Sequence, residues 1–193
     1  MLSCNKGADF RALTTAMEEL GYGICWRTLD AQNFGVPQQR KRVFIVGYRG
    51  DWRPAAAVLL DGRCFERDTR KGKEARTTDA REVAASDLKE YYRILGFGHY
   101  VESEIACTLT ARAFKRATDL IITKDDRVRK LTPLECERLQ GFPDNYTSVP
   151  WKGKGAMQCP MEPRIRTLGN SMAVPVMTWI GERIKYVDLL VPR

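Results

Sequence analysis

Phe34-Gly35-Val36-Pro37-Gln38-Gln39-Arg40-Lys41-Arg42 runs directly into Val43-Phe44-Ile45-Val46, and this junction decides the fold. An apolar run of four, unbroken by polar residues, reads as a strand covered on both faces inside a layered α/β sheet. The turn before it is packed with donors. Arginines at the mouth of a sheet suit a carbonyl oxygen or a phosphate, because a guanidinium stays charged and makes paired hydrogen bonds. Surface arginines that merely close a sheet edge would look the same.

Upstream, Phe10, Leu13, Met17 and Leu20 recur at helical spacing, with Asp9 as the expected N-cap and Gly21 or Gly23 as the stop. A first strand is expected over residues 24–29 and a second over 42–48. From about Gly50 to Lys130 the periodicity weakens and the chain turns polar, most of all from Arg63 to Arg76, where six cations face three acids. That stretch reads as an inserted, irregular domain, much of it a solvated loop. Beyond it, Leu131-Thr132-Pro133-Leu134-Glu135-Cys136 is a helix start: Thr132 caps, Pro133 takes the first turn, Glu135 reaches back, and Leu131 with Cys136 forms a staple. This helix should stop near Gly141, before Phe142-Pro143. A last helix is expected from about Ser171 to Tyr186, with Ala173, Val176 or Met177, Ile180 and Ile184 facing inward and Pro175 in its first turn.

The 193 residues suffice for one ordinary domain or a domain and part of another, and their 44% hydrophobic content can build a core. A net charge of +8 favours polyanions such as nucleic acid. Cys4, Cys25, Cys64, Cys107, Cys136 and Cys159 are scattered, with His99 the one histidine, so the sequence argues against a metal site and for free thiols in a reducing, cytoplasmic setting. No apolar stretch is long enough for a membrane span. Leu168-Gly169-Asn170-Ser171 reads as the start of the last helix, where free amides and the helix dipole would favour an anion. Ordinary capping explains Asn170 and Ser171 equally well.

Taken together, these clusters resemble the last three sequence motifs of the DNA cytosine-5 methyltransferases. The family's Gln-x-Arg-x-Arg motif falls on Gln38, Arg40 and Arg42. Its Leu-Thr-Pro-x-Glu-Cys-x-Arg-Leu-x-Gly-Phe-Pro segment falls on Leu131 to Pro143, and its Gly-Asn-Ser segment on Gly169 to Ser171. The likeness spans residues 1–50 and 105–186. It implies a partial Rossmann-like, S-adenosylmethionine-dependent methyltransferase domain: residues 1–50 as sheet, 51–130 as the target-recognition domain, and 131–193 returning to the catalytic domain. By the same likeness Arg42 contacts the oxygen of a cytosine flipped out of double-stranded DNA, and Arg40 braces the nucleophile's loop. Thr108, in Thr108-Leu109, supports the flipped nucleotide, while Asn170 and Ser171 lie beside the methyl donor.

Three family segments do not occur: the Gly-rich donor turn, the Pro-Cys dipeptide with the nucleophile, and Glu-Asn-Val. Cys159 precedes Pro160 instead of following a proline. The opening Met1 to Gly7 is similar to the stretch after Glu-Asn-Val. The resemblance thus implies a C-terminal portion with an incomplete S-adenosylmethionine site and no catalytic residue of its own. Such a chain is expected to be inactive alone and to need the N-terminal half or a complementing subunit; uncovered, its sheet edge and apolar helix faces should drive self-association. The alternative is a non-catalytic, sequence-specific DNA-binding module.

Overall fold

In the computed structural model, the described residues are 4–60, 80–83, 87–96 and 98–190. Cys64 and the Arg63–Arg76 charge run lie outside them. The chain divides into two compact units, Met1–Leu29 with Lys41–Gly72 and Thr178–Arg193, and Asp30–Arg40 with Lys73–Met177.

In the first unit, helix α1 (Ala8–Glu19) is capped by Gly7 in the left-handed conformation at φ 85°, and Asp9 sits inside the first turn. The expected Asp9 cap is thus replaced by a backbone device, and the carboxylate instead complements the helix dipole. None of the α1 residues is buried; Phe10 meets Trp26 edge to face at 5.3 Å. Strands β1 (Tyr22–Asp30) and β2 (Lys41–Arg49) form a two-stranded sheet. Hydrogen bonds from Gly50 to Gly21 and from Ala31 to Arg40 mark its two ends, so the strands run antiparallel. Val43 to Val46 are only half-buried, which corrects the expected strand covered on both faces: among the described residues β2 has one strand neighbour. Helix α2 (Arg53–Leu59) supplies Ala55, Val58 and Leu59 to this unit's core, while Leu20, Trp52 and Leu189 stay exposed.

The second unit holds a four-stranded antiparallel sheet in the order β4-β3-β5-β6, from β3 (Leu88–Gly96), β4 (His99–Glu102), β5 (Asp119–Thr123) and β6 (Val128–Lys130). A short helix α3 (Ala80–Val83) precedes it. Regular strands therefore occupy a stretch whose polarity hid them. In β5 the alternation buries Asp119, Ile121 and Thr123, and Ile121 joins Tyr91, Leu109, Leu131, Cys136, Leu139, Ile165 and Leu168 in one core.

Helix α4 (Pro133–Leu139) starts as expected: the Thr132 hydroxyl accepts from the Glu135 amide, and the Glu135 carboxylate accepts from the Thr132 amide at 2.7 Å. Gly141 follows at φ 74°, where a side chain would also strike Pro175. The end of the chain departs from expectation. Helix α5 (Met161–Asn170) ends at Asn170, and the last helix, α6, begins only at Val174 and runs to Leu190. Leu168 to Ser171 thus close one helix instead of opening another, because Ile165 and Leu168 pull the preceding turn into the core. Ala173, Val176 and Ile180 are buried as expected; Ile184 is exposed, and Val187 takes the inward position. Among the described residues no helix is long and apolar enough to cross a membrane, and no cluster of His, Cys, Asp or Glu could hold a metal ion.

Candidate functional site

The site is built around the turn that leads into β2. Asp30 organises it: its carboxylate accepts from the Gln32 side chain at 2.7 Å and from the Arg40 amide at 3.0 Å. Across from it, the Gln39 amide donates to Ala106 and the Ala106 amide to Pro37, at 2.9 and 2.8 Å. Gln38 and Ala106 thereby form a parallel bridge. The Thr108 hydroxyl donates to the Gln39 carbonyl at 2.6 Å, so the Thr-Leu pair is fastened to this turn.

Arg40 is 3% exposed. Its guanidinium donates to the carbonyls of Leu109 at 2.7 Å and Gly169 at 3.0 Å, and also to that of Ser171. Two backbone segments remote in sequence, at Leu109 and at Gly169–Ser171, are joined on one planar cation carried by a third, a task for which five fixed donors suit arginine and a lysine ammonium does not. Gly169 and Ser171 belong to the end of α5, where carbonyls lack helical partners and the dipole is negative, so a buried cation is at home there. The expected helix start with free amides is here a helix end: the Ser171 amide donates back to Thr167 and Leu168, and its hydroxyl donates to Gln140 and Leu168. Asn170 is exposed.

Gln38 is wholly buried, yet neither atom of its carboxamide has a hydrogen-bond partner among the described residues. Arg42 belongs to the first unit, half-buried, and its Nη1 donates to the Lys41 carbonyl at 2.8 Å. The structure thus brings together Gln38, Arg40, Thr108 and Ser171 in one unit and places Arg42 in the other.

Two acids that sequence reasoning passed over complete the support. Asp30 is one; an aspartate closing a strand before a Phe-Gly turn is the signal for it. Asp119 is the other, accepting from the Cys107 amide at 2.9 Å and the Thr118 hydroxyl at 2.8 Å. Burial raises its carboxyl above the usual range, against those donors. Three thiols lean away from nucleophilic use: burial, with the Glu135 carboxylate next in weight, pushes Cys136 up to about 12, and burial also raises Cys107 and Cys25.

A family model described as C-5 cytosine-specific DNA methylase matches residues 1–95 and 65–186. The Type II methyltransferase M1.ScrFI of Lactococcus lactis subsp. cremoris is 30% identical over 196 residues, covering 93% of this chain and 48% of that protein. A DNA N-6-adenine-methyltransferase of Escherichia phage P1 is 30% identical over 271 residues, covering 83% of this chain and 36% of that protein. The chain thus spans about half, or less, of the length of these relatives. Among solved structures, the Dnmt2 methyltransferase of S. pombe superposes with a TM-score of 0.65 at 17% identity, covering 97% of this chain and 63% of that one. The α/β methyltransferase fold expected from the sequence is borne out.

Proposed function

The chain belongs to the C-5 cytosine-specific DNA methylase family, and from that membership we propose that it serves methyl transfer from S-adenosylmethionine to C5 of a cytosine extruded from duplex DNA, in a restriction-modification setting in the cytoplasm. The observation that carries this reading is the buried Arg40 knot. The motif that gives the family its arginines is fastened by it to the Thr-Leu segment and to the Gly-Asn-Ser segment in one unit. A pure binding module has no need to hold those three segments together.

Within the reaction Arg40 is a positioning residue, since both its Nη1 and its Nη2 donate to backbone carbonyls. Arg42 is assigned to the oxygen of the extruded base, and Thr108 and Gln38 to the wall that supports the nucleotide. S-adenosylmethionine supplies the methyl group when bound. The described residues fit it incompletely: the Leu168–Ser171 end offers carbonyls and committed groups, and Asn170 alone exposes a carboxamide there. We therefore assign Asn170 to the donor's amino-acid end, Ser171 to holding that end in place, and no residue of this chain to the nucleophile.

The test incubates duplex DNA with radiolabelled S-adenosylmethionine and the chain, alone and with a polypeptide carrying the Pro-Cys and Glu-Asn-Val segments. The expected product, 5-methylcytosine, forms only in the mixture. Robust methylation by the chain alone overturns the need for a complementing half, and N6-methyladenine as product overturns the cytosine assignment. A second reading, a non-catalytic DNA-binding module, is favoured by the net charge of +8. It predicts sequence-selective binding that the added polypeptide leaves unchanged.

A further inference from the structure

Between Leu109 and Asp119 the chain reads Thr110-Ala111-Arg112-Ala113-Phe114-Lys115-Arg116-Ala117-Thr118, with three cations and no acid. It forms a tight turn: the Lys115 and Arg116 amides both donate to the Arg112 carbonyl, at 2.9 and 3.1 Å. All three cations are exposed, and none forms an ion pair among the described residues. Elsewhere in the same unit Arg129, Arg138 and Arg164 are each committed to a carboxylate. Like charges crowded on one turn repel each other, and here no internal acid offsets the repulsion.

Phe114 draws further cations to the same place. Lys115 Nζ and the Arg166 guanidinium lie 5.7 and 5.5 Å from its ring centre, and Lys130 Nζ donates to its carbonyl at 3.2 Å. Of the two acids beside these five cations, Glu162 pairs with Arg166 at 2.5 Å and Asp119 is buried beneath the turn.

The root of the turn is fixed. Leu109 gives its carbonyl to Arg40, and Gly169 lies so close to Thr110 and Ala111 that a Cβ there would come within 2.3 Å of their backbone. A polyanion seated on the turn would therefore be held in constant relation to Arg40 and Thr108.

We propose that Arg112, Lys115 and Arg116, with Arg166 and Phe114 behind them, form a clamp for the phosphate backbone of duplex DNA that sets the strand's position relative to the Arg40 knot. This rests on the reading of the chain as a DNA methyltransferase component. Phosphate contacts of this kind fix register without reading sequence.

The test measures binding of a duplex oligonucleotide to the full chain across a salt series, for the wild type and a triple variant Arg112→Gln, Lys115→Gln, Arg116→Gln. The control variant, Lys89→Gln, Lys124→Gln, Arg127→Gln, removes equal charge from exposed positions of β3 and of the turn between β5 and β6. Three lost phosphate contacts make the slope of log affinity against log salt shallower by about 2.7, with a loss of at least about tenfold at 0.1 M salt. The control is expected to stay near the wild type, and melting confirms that both variants fold. Equal slopes for wild type and triple variant overturn this inference alone, as does an equal loss in the control. A wild-type chain that binds duplex RNA and no duplex DNA overturns the reading on which the inference rests.

Discussion

Nη2 of Arg40 donates to the carbonyl oxygen of Gly169 at 3.0 Å, joining residues 129 positions apart in the chain. With the Leu109 carbonyl on Nη1, 69 positions away, one side chain fixes where the motif turn, the Thr-Leu segment and the end of α5 lie with respect to each other. Carbonyls so buried have no water to fall back on, so each depends on that cation.

Arg40→Ala is expected to destabilise the chain by about 3–5 kcal/mol, since charged hydrogen bonds vanish and buried carbonyls are orphaned together. Arg40→Lys keeps the charge but cannot fork across the acceptors and should recover less than half of the loss. Urea unfolding measures both. A cost below about 1 kcal/mol for the alanine variant would contradict the knot's structural role.

Two glycines should respond in opposite directions. Gly169→Ala forces a Cβ to within 2.3 Å of the Thr110 and Ala111 backbone and is expected to cost about 3 kcal/mol, at the upper end for overpacking. Gly181, exposed within α6, has open space around it. There alanine should stabilise by about 0.5–1 kcal/mol through helix propensity alone. Thermal melting of the two variants side by side decides the matter, and a tolerated Gly169→Ala would mean that α5 does not press on the turn.

Glu137 makes stability depend on acid. Burial by itself would raise its carboxyl, but the hydroxyl and amide of Thr147 and the Arg164 guanidinium outweigh burial and hold it below the usual range. A depressed folded value means that the contribution is fully present above the unfolded value of about 4.5 and is lost as pH falls through the folded one. Glu137→Gln is expected to cost about 2 kcal/mol at pH 7, and the gap to wild type should narrow progressively below about pH 4. Unfolding curves at pH 7, 5 and 3 measure it; a gap that stays constant with pH would assign the cost to packing instead of charge.

The parts of the chain that the sequence determined are those whose physics is local. The α4 start needs only Thr132, Pro133 and Glu135 at their spacing, because the two bonds of a capping box close within four residues. The β1–turn–β2 pair follows from apolar runs broken by Gly35 and Pro37. The order of the three motifs along the chain is by itself enough to indicate the family. Tertiary structure alone decided the rest: that Gly169 and Asn170 end a helix, that Arg40 is buried while Arg42 keeps to the first unit, and that residues 43–46 are half-covered. In each case the deciding partner lies far along the chain or depends on how many layers flank a strand, and neither spacing nor propensity carries that information. A glycine beside an asparagine has the same local preferences at either end of a helix, and here the carbonyls that receive Arg40 settle which end it is.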